Sequence, residues 1–244
     1  MRLDYGNSDN DIRHRFTFSP TYAIPGRKGP GQMLQGWTIS SIITLQSGLA
    51  WYPTDETTDL TGTNGFSDSV SPALQRWNYS GPASAFKAGP ASIPFLSGAA
   101  AMSTCGAAAQ APYSGSAAMQ QVALAALSNL GCYVEGNGIL TPPAYGTVGN
   151  AVRNMFRQPY YHNIDFSVTK DWKFTERFSA QFRAEFFNLF NWTNIELPGA
   201  QSGGVDPSAN QQFGLGATPD VQGGNPVLGS GGPRHIQFGL KLAF

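Results

Sequence analysis

The chain has 244 residues and balances 15 Lys and Arg against 15 Asp and Glu, which offers no electrostatic case for binding nucleic acid or an acidic membrane surface. Charged residues make up only 12%, about half the usual share of a soluble domain, while 29 Gly and 12% aromatics suit a β-protein that does not face water on every side. No apolar run is long enough for a transmembrane helix, so any membrane contact rests on strands.

Residues 1–11 are polar and rich in Asn and Asp, a loop by composition. The opening MRLDYGNSDND lacks the apolar stretch of a signal peptide, so a piece of a longer exported precursor is expected. His14, Phe16, Phe18, Tyr22 and Ile24 then alternate with Arg13, Arg15, Thr17, Ser19 and Thr21, which predicts a first strand over 12–24. Pro20 removes a ladder donor, so this strand bulges there or lies at an edge. The connector PGRKGPGQMLQ is a turn region.

A second strand is predicted over 36–52, with Trp37, Ile39, Ile43, Leu45, Leu49 and Trp51 on one face and Thr38, Ser40, Thr44 and Gln46 on the other; Ser41 and Ile42 break the pattern. An apolar face that begins and ends on Trp is what two membrane interfaces select. Residues 53–159 show no sustained alternation and read as a very long loop. Within it, Ser116 to Gly131 has a capping Ser, strong helix formers and a Gly stop, which predicts a short helix. Cys105 and Cys132 flank that helix and are either a disulfide made in an oxidising compartment or two unpaired thiols.

The third strand, 160–172, sends Ile164, Phe166, Val168 and Trp172 one way and Asp165, Ser167, Thr169 and Asp171 the other. Lys170 falls on the apolar side near an end, where its ammonium can reach the interface. After a tight turn near Lys173 to Glu176, the fourth strand, 177–190, puts Phe178, Ala180, Phe182, Ala184 and Phe186 outward and Ser179, Gln181, Arg183 and Glu185 inward, with a bulge near Phe186 to Phe190. If Trp172 stands opposite Glu176, Asp165 meets Arg183 and Ser167 meets Gln181; sliding by two residues would set Asp165 against Glu185. A second long loop, 191–233, leads to a last strand, 234–244, in which Ile236, Phe238, Leu240, Leu242 and Phe244 alternate with polar or small residues.

The fold class expected is therefore all-β, an antiparallel transmembrane barrel segment of about five strands with two long extracellular loops. Trp37, Trp172, Phe178 and Phe244 would form one aromatic belt and Trp51, Tyr160, Phe190 and Trp192 the other, with Phe182, Phe238 and Leu240 facing lipid between them. Arg15, Asp165, Arg183, Glu185 and Lys241 are assigned to the lumen, together with Arg13 and Asp171.

The runs DIRHRFTFSPTYAIPG, GWTISSIITLQSG, GNAVRNMFRQPYYHNIDFSVTKDW, ERFSAQFRAEFFNLFN and RHIQFGLKLAF resemble, in order, the C-terminal end of TonB-dependent outer-membrane receptors of the Oar-like group, whose N-terminal domain is carboxypeptidase-regulatory-like. The resemblance covers all five strands but not the stretch between Pro53 and about Leu140. It implies a barrel of about 22 strands filled by a plug, of which this chain holds the closing part. The partners implied are outer-membrane lipid, the remaining strands and plug, and the TonB energy-coupling system acting through the N-terminal part; solute uptake by the chain alone would be incomplete.

The resemblance supplies no catalytic residues and no cofactor, and the chain has no nucleophile elbow, P-loop, zinc-protease helix or dinucleotide fingerprint. Ser47 and Ser116 lie near glycines without the motif a nucleophile needs, so no enzyme is expected. His14, His162 and His235 fall at one rim but on strands that are not neighbours, and read as rim histidines rather than metal ligands. The other class open to the sequence is a secreted β-sandwich binding or adhesion module, which would need a second layer over Phe166, Phe182 and Phe238.

Overall fold

The computed structural model describes residues 5–8, 11–27, 29–55, 57–63, 75–87, 91–195, 204–205, 207 and 232–244. In chain order the elements are β1 (Arg15–Phe18), β2 (Thr21–Ala23), β3 (Trp37–Gln46), β4 (Ala50–Pro53), β5 (Asn78–Ser80), β6 (Phe95–Leu96), α1 (Gly98–Gln110), α2 (Ala117–Leu130), β7 (Cys132–Glu135), β8 (Gly138–Thr141), β9 (Phe156–Arg157), β10 (Tyr161–Lys173), β11 (Ser179–Phe187), β12 (Gly204–Val205) and β13 (His235–Ala243). They fall into two compact units: a sheet unit, Arg13–Ser47, Tyr160–Asn194 and Thr218–Phe244, and a helical unit, Met1–Ile12, Gly48–Pro159 and Ile195–Ala217.

The sheet unit is an antiparallel meander in the order β1-β3-β10-β11-β13, with β2 also on β3, and among the described residues it is not closed into a barrel. Period-2 alternation on every strand gives it two unlike faces. The pairings Thr38↔Thr169, Thr169↔Arg183 and Arg183↔Gly239 run across one face, and Ile39↔Val168, Val168↔Ala184 and Ala184↔Phe238 across the other. Pro20 falls in the gap between β1 and β2, yet Phe18↔Ile43 and Thr21↔Ser40 keep a single register and the Pro20 carbonyl accepts the Ser41 N–H at 3.0 Å. The strand therefore tolerates its proline as an edge, without a bulge, because among the described strands it pairs with β3 alone.

The expected pairing of Asp165 with Arg183 is not formed. Thr169 stands opposite Arg183 and Ser167 opposite Glu185, because the connection is the five-residue Phe174 to Phe178 loop rather than a tight turn at Lys173 to Glu176. The N–H groups of Phe174 and Thr175 donate to the Phe178 carbonyl at 3.0 and 3.1 Å, and Thr175 Oγ1 accepts the Phe178 N–H at 2.9 Å. This longer loop stacks Phe174 on Phe178 at 5.0 Å and Phe178 on Phe244 at 5.7 Å, and the register it sets brings Phe166 to 6.3 Å from Phe186. Asp165 instead takes neutral donors, Asn163 Nδ2 and the Asn188 N–H, each at 2.9 Å. Asp165 therefore meets neither Arg183 nor Glu185 across the strands, and its carboxylate is satisfied without a cation.

The strand ends also differ from expectation. β11 stops at Phe187, not at residue 190, since Asn188 (φ 47°) and Asn191 (φ 53°) adopt the left-handed conformation that ends a strand and that Asn tolerates. β3 stops at Gln46, not at residue 52: Gly48 runs so close to the chain that a Cβ there would lie 2.0 Å from the Gln158 carbonyl oxygen. Beyond it Trp51 belongs to β4 and is fully buried, 4.8 Å from Phe156, in the core of the helical unit. It is not part of an aromatic belt.

That unit occupies most of the stretch expected to be a long loop. A four-stranded sheet, β5-β8-β7-β6, and the core residues Trp51, Leu60, Trp77, Tyr79, Phe86, Tyr133 and Phe156 give it an interior of its own. α2 starts at capping Ser116, whose Oγ accepts the Met119 N–H at 3.4 Å, and ends at Gly131 (φ 74°). A second helix, α1, was not expected; its Ala-rich sequence carries little amphipathic pattern. Cys105 of α1 and Cys132 of β7 form a disulfide. Fully buried Asp55 organises the entry, accepting the Thr58 N–H at 2.7 Å and Trp77 Nε1–H at 3.1 Å. Of the expected loop 191–233, only 191–195, 204–205, 207 and 232–233 are described, and β12 within it pairs in parallel with β4.

Candidate functional site

The candidate site is the two-faced sheet. Its register collects Arg15, Ser40, Asp165, Asp171, Arg183, Glu185 and Lys241 on one face, where Ile42 is an apolar intruder. Ser40 and Ser167 share a hydrogen bond at 2.7 Å, Gln181 Nε2 donates to Asp171 at 2.8 Å, and Arg183 reaches Glu185 two residues along its own strand at 3.4 Å. Arg183 is half exposed, so that ion pair is worth about 0–1 kcal/mol. Among the described residues this face carries charges of both signs.

The opposite face carries Phe16, Ile39, Phe166, Phe182, Phe238 and Leu240. Phe182 stacks on Phe238 at 6.1 Å, yet Phe238 and Leu240 remain 67% and 68% exposed. An apolar surface this continuous is not left to water without a partner phase. At the loop-174 end Phe178 stacks on Phe244 at 5.7 Å and the Trp37 and Trp172 rings flank the Lys170 ammonium; at the other end Trp192 stacks on Phe190 at 5.0 Å and meets the His162 ring at 4.6 Å. Tyr160 is exposed beside the start of β10. Trp51, also assigned to a belt, lies in the core of the helical unit.

Lys170 departs from the snorkelling expected of it. Its side chain is fully buried on the apolar face, with Nζ donating to the carbonyls of Gln32 and Asp171 at 2.8 and 2.9 Å and to that of Gln35. The Trp37 and Trp172 rings lie 5.7 and 4.9 Å from the ammonium. Three carbonyls and two ring faces replace its water, so the cation pins the connector between β2 and β3 onto β10. Asn188 was also missed. Its side chain bonds the Trp192 and Gly232 carbonyls at 2.8 Å and the Trp192 N–H at 3.0 Å, joining the end of β11 to the approach to β13. Its signal in the sequence is only the Asn-rich breakdown of alternation after Phe187.

His162 packs on Trp192, His14 donates its backbone N–H to Ser47 Oγ at 3.1 Å, and His235 is exposed on β13. Among the described residues no three His, Cys, Asp or Glu side chains gather as a metal group, and no helix is long and apolar enough to cross a membrane.

No curated protein and no solved structure matches the chain. A family profile described as an outer membrane beta barrel domain matches residues 1–237. The antiparallel strands, the apolar face and this match agree, and the chain belongs to the outer membrane beta barrel domain family, a protein of the bacterial outer membrane.

Proposed function

We propose that the sheet unit supplies wall strands of a TonB-dependent receptor barrel and that the chain takes part in solute uptake across the outer membrane. The observation that carries this reading is one sheet with a polar and an apolar face whose outer strands, β1/β2 and β13, each pair on one side only among the described residues. Unpaired strand edges are costly in hydrocarbon, so further strands must continue the sheet. The five sequence segments that resemble TonB-dependent receptors are these same strands in order. In this reading the Phe166 and Phe182 face meets lipid, the Asp171 and Arg183 face lines the lumen, and the short connectors lie at the periplasmic rim. The plug and the contact with the TonB system come from a preceding part of a longer protein. No catalytic step is proposed.

The test has two arms, applied to the intact gene product. Membranes extracted with sodium carbonate should retain it; release into the soluble fraction would favour a secreted module instead. Site-directed cross-linking in cells should then trap it on the periplasmic domain of TonB. Retention without any TonB adduct would reduce the reading to a passive or structural barrel.

A further inference from the structure

A cleft of about 240 Å³ opens in the helical unit between the sheet strands β5 and β8 and the end of α1, lined by Asn78, Ser80, Ala108, Pro112, Thr141 and Asn150. It lies below the roughly 300–1,000 Å³ of sites for drug-sized molecules, which limits an occupant to a single small ring. No charged side chain lines it, so neither a carboxylate nor an ammonium would find a counter-charge there.

Its polar groups are set by neighbours. The Asn150 side-chain oxygen accepts the Tyr79 N–H at 2.6 Å, and the Asn150 N–H donates to Asn78 Oδ1 at 3.0 Å. Asn78 Nδ2 donates to the Tyr113 hydroxyl at 3.4 Å, which in turn shares 2.8 Å with Thr147 and accepts the Ala144 N–H at 2.9 Å. Both amides are thereby oriented with their oxygens committed, and the Asn150 NH2 has no partner among the described residues. Thr141 is 1% exposed, and its hydroxyl enters no hydrogen bond among the described residues. The hydroxyl is not sealed from solvent, so it stands open to water or to an occupant of the cleft. Opposite these donors lie Ala and Pro carbons of α1 and the turn after it, a surface for C–H groups, and Tyr79 completes the lining.

We propose that this cleft binds one uncharged, hydroxylated ring of monosaccharide size, either free or at the end of a glycan. The site lies wholly in the helical unit and stands whether or not the transport reading holds. Saturation-transfer NMR on the full chain in detergent, with D-glucose, D-galactose, D-mannose, N-acetyl-D-glucosamine and their methyl glycosides as probes, tests it. At least one probe should bind saturably, and Thr141→Val and Asn150→Asp should each weaken it at least tenfold. Asn150→Asp keeps the oxygen that accepts the Tyr79 N–H, and Ala108→Phe, which fills the cleft without touching a polar group, should abolish binding with the circular dichroism unchanged. Methyl glycosides that bind as well as the free sugars would identify a glycan terminus as the occupant; their exclusion would identify a free sugar. No saturable signal from any probe, or binding that Ala108→Phe leaves intact, would overturn the proposal.

Discussion

At the scale of single residues, the sheet unit depends on groups that satisfy backbone where the alternation fails. Lys170 holds three carbonyls while buried on the apolar face. Replacing it with Met keeps the stem and strands those acceptors, so Lys170→Met should cost about 1–3 kcal/mol in urea unfolding of the refolded protein. An unchanged midpoint would show that the Trp37 and Trp172 packing suffices. In the helical unit, burial, reinforced by the negative charge of Glu135, pushes the Tyr79 phenol up from 10.0 to about 12. Because the folded value is raised, the associated stability is fully present below pH 10 and is lost as the pH climbs through about 12. The difference between the ultraviolet titrations of the native chain and Tyr79→Phe should therefore show a transition near 12; a transition at 10 would mean that the ring is hydrated.

At the scale of elements, the register between β10 and β11 is open to direct test. Thr169→Cys with Arg183→Cys should cross-link readily, since these positions are opposed, whereas Asp165→Cys with Arg183→Cys should not. The reverse pattern would restore the salt-bridged register. The disulfide joining α1 to β7 closes a segment with a sequence separation of 27, so its removal by Cys105→Ala and Cys132→Ala should destabilise the helical unit by about 3–4 kcal/mol in thermal unfolding. The long strands were legible in the sequence because ten or so alternating residues repeat one signal, as in β3 and β10. The helical unit was not, because its strands are two to four residues long and its core draws on Trp77, Phe86, Tyr133 and Phe156, far apart in the chain. Trp51 shows the same limit: its parity with Trp37 suggested a belt, and only the close approach at Gly48 reveals that the strand has already ended. The candidate faces were legible from parity alone. Their cross-strand partners were not, since register depends on the length of the loop from Phe174 to Phe178, which alternation does not encode.

At the scale of the whole molecule, the proposed wall role sets the apolar face against lipid. Phe182→Arg or Leu240→Arg in the assembled barrel should cost about 2–4 kcal/mol, and Ser167→Arg on the other face much less. The most direct measurement is a nitroxide scan of β11 in outer-membrane vesicles, one label at a time from Ser179 to Phe187, with oxygen and a water-soluble nickel chelate as relaxation agents. Oxygen access should peak at Ala180, Phe182, Ala184 and Phe186, and nickel access at Ser179, Gln181, Arg183 and Glu185. Alternation in the opposite phase, or none, would contradict a sheet that stands between lipid and lumen.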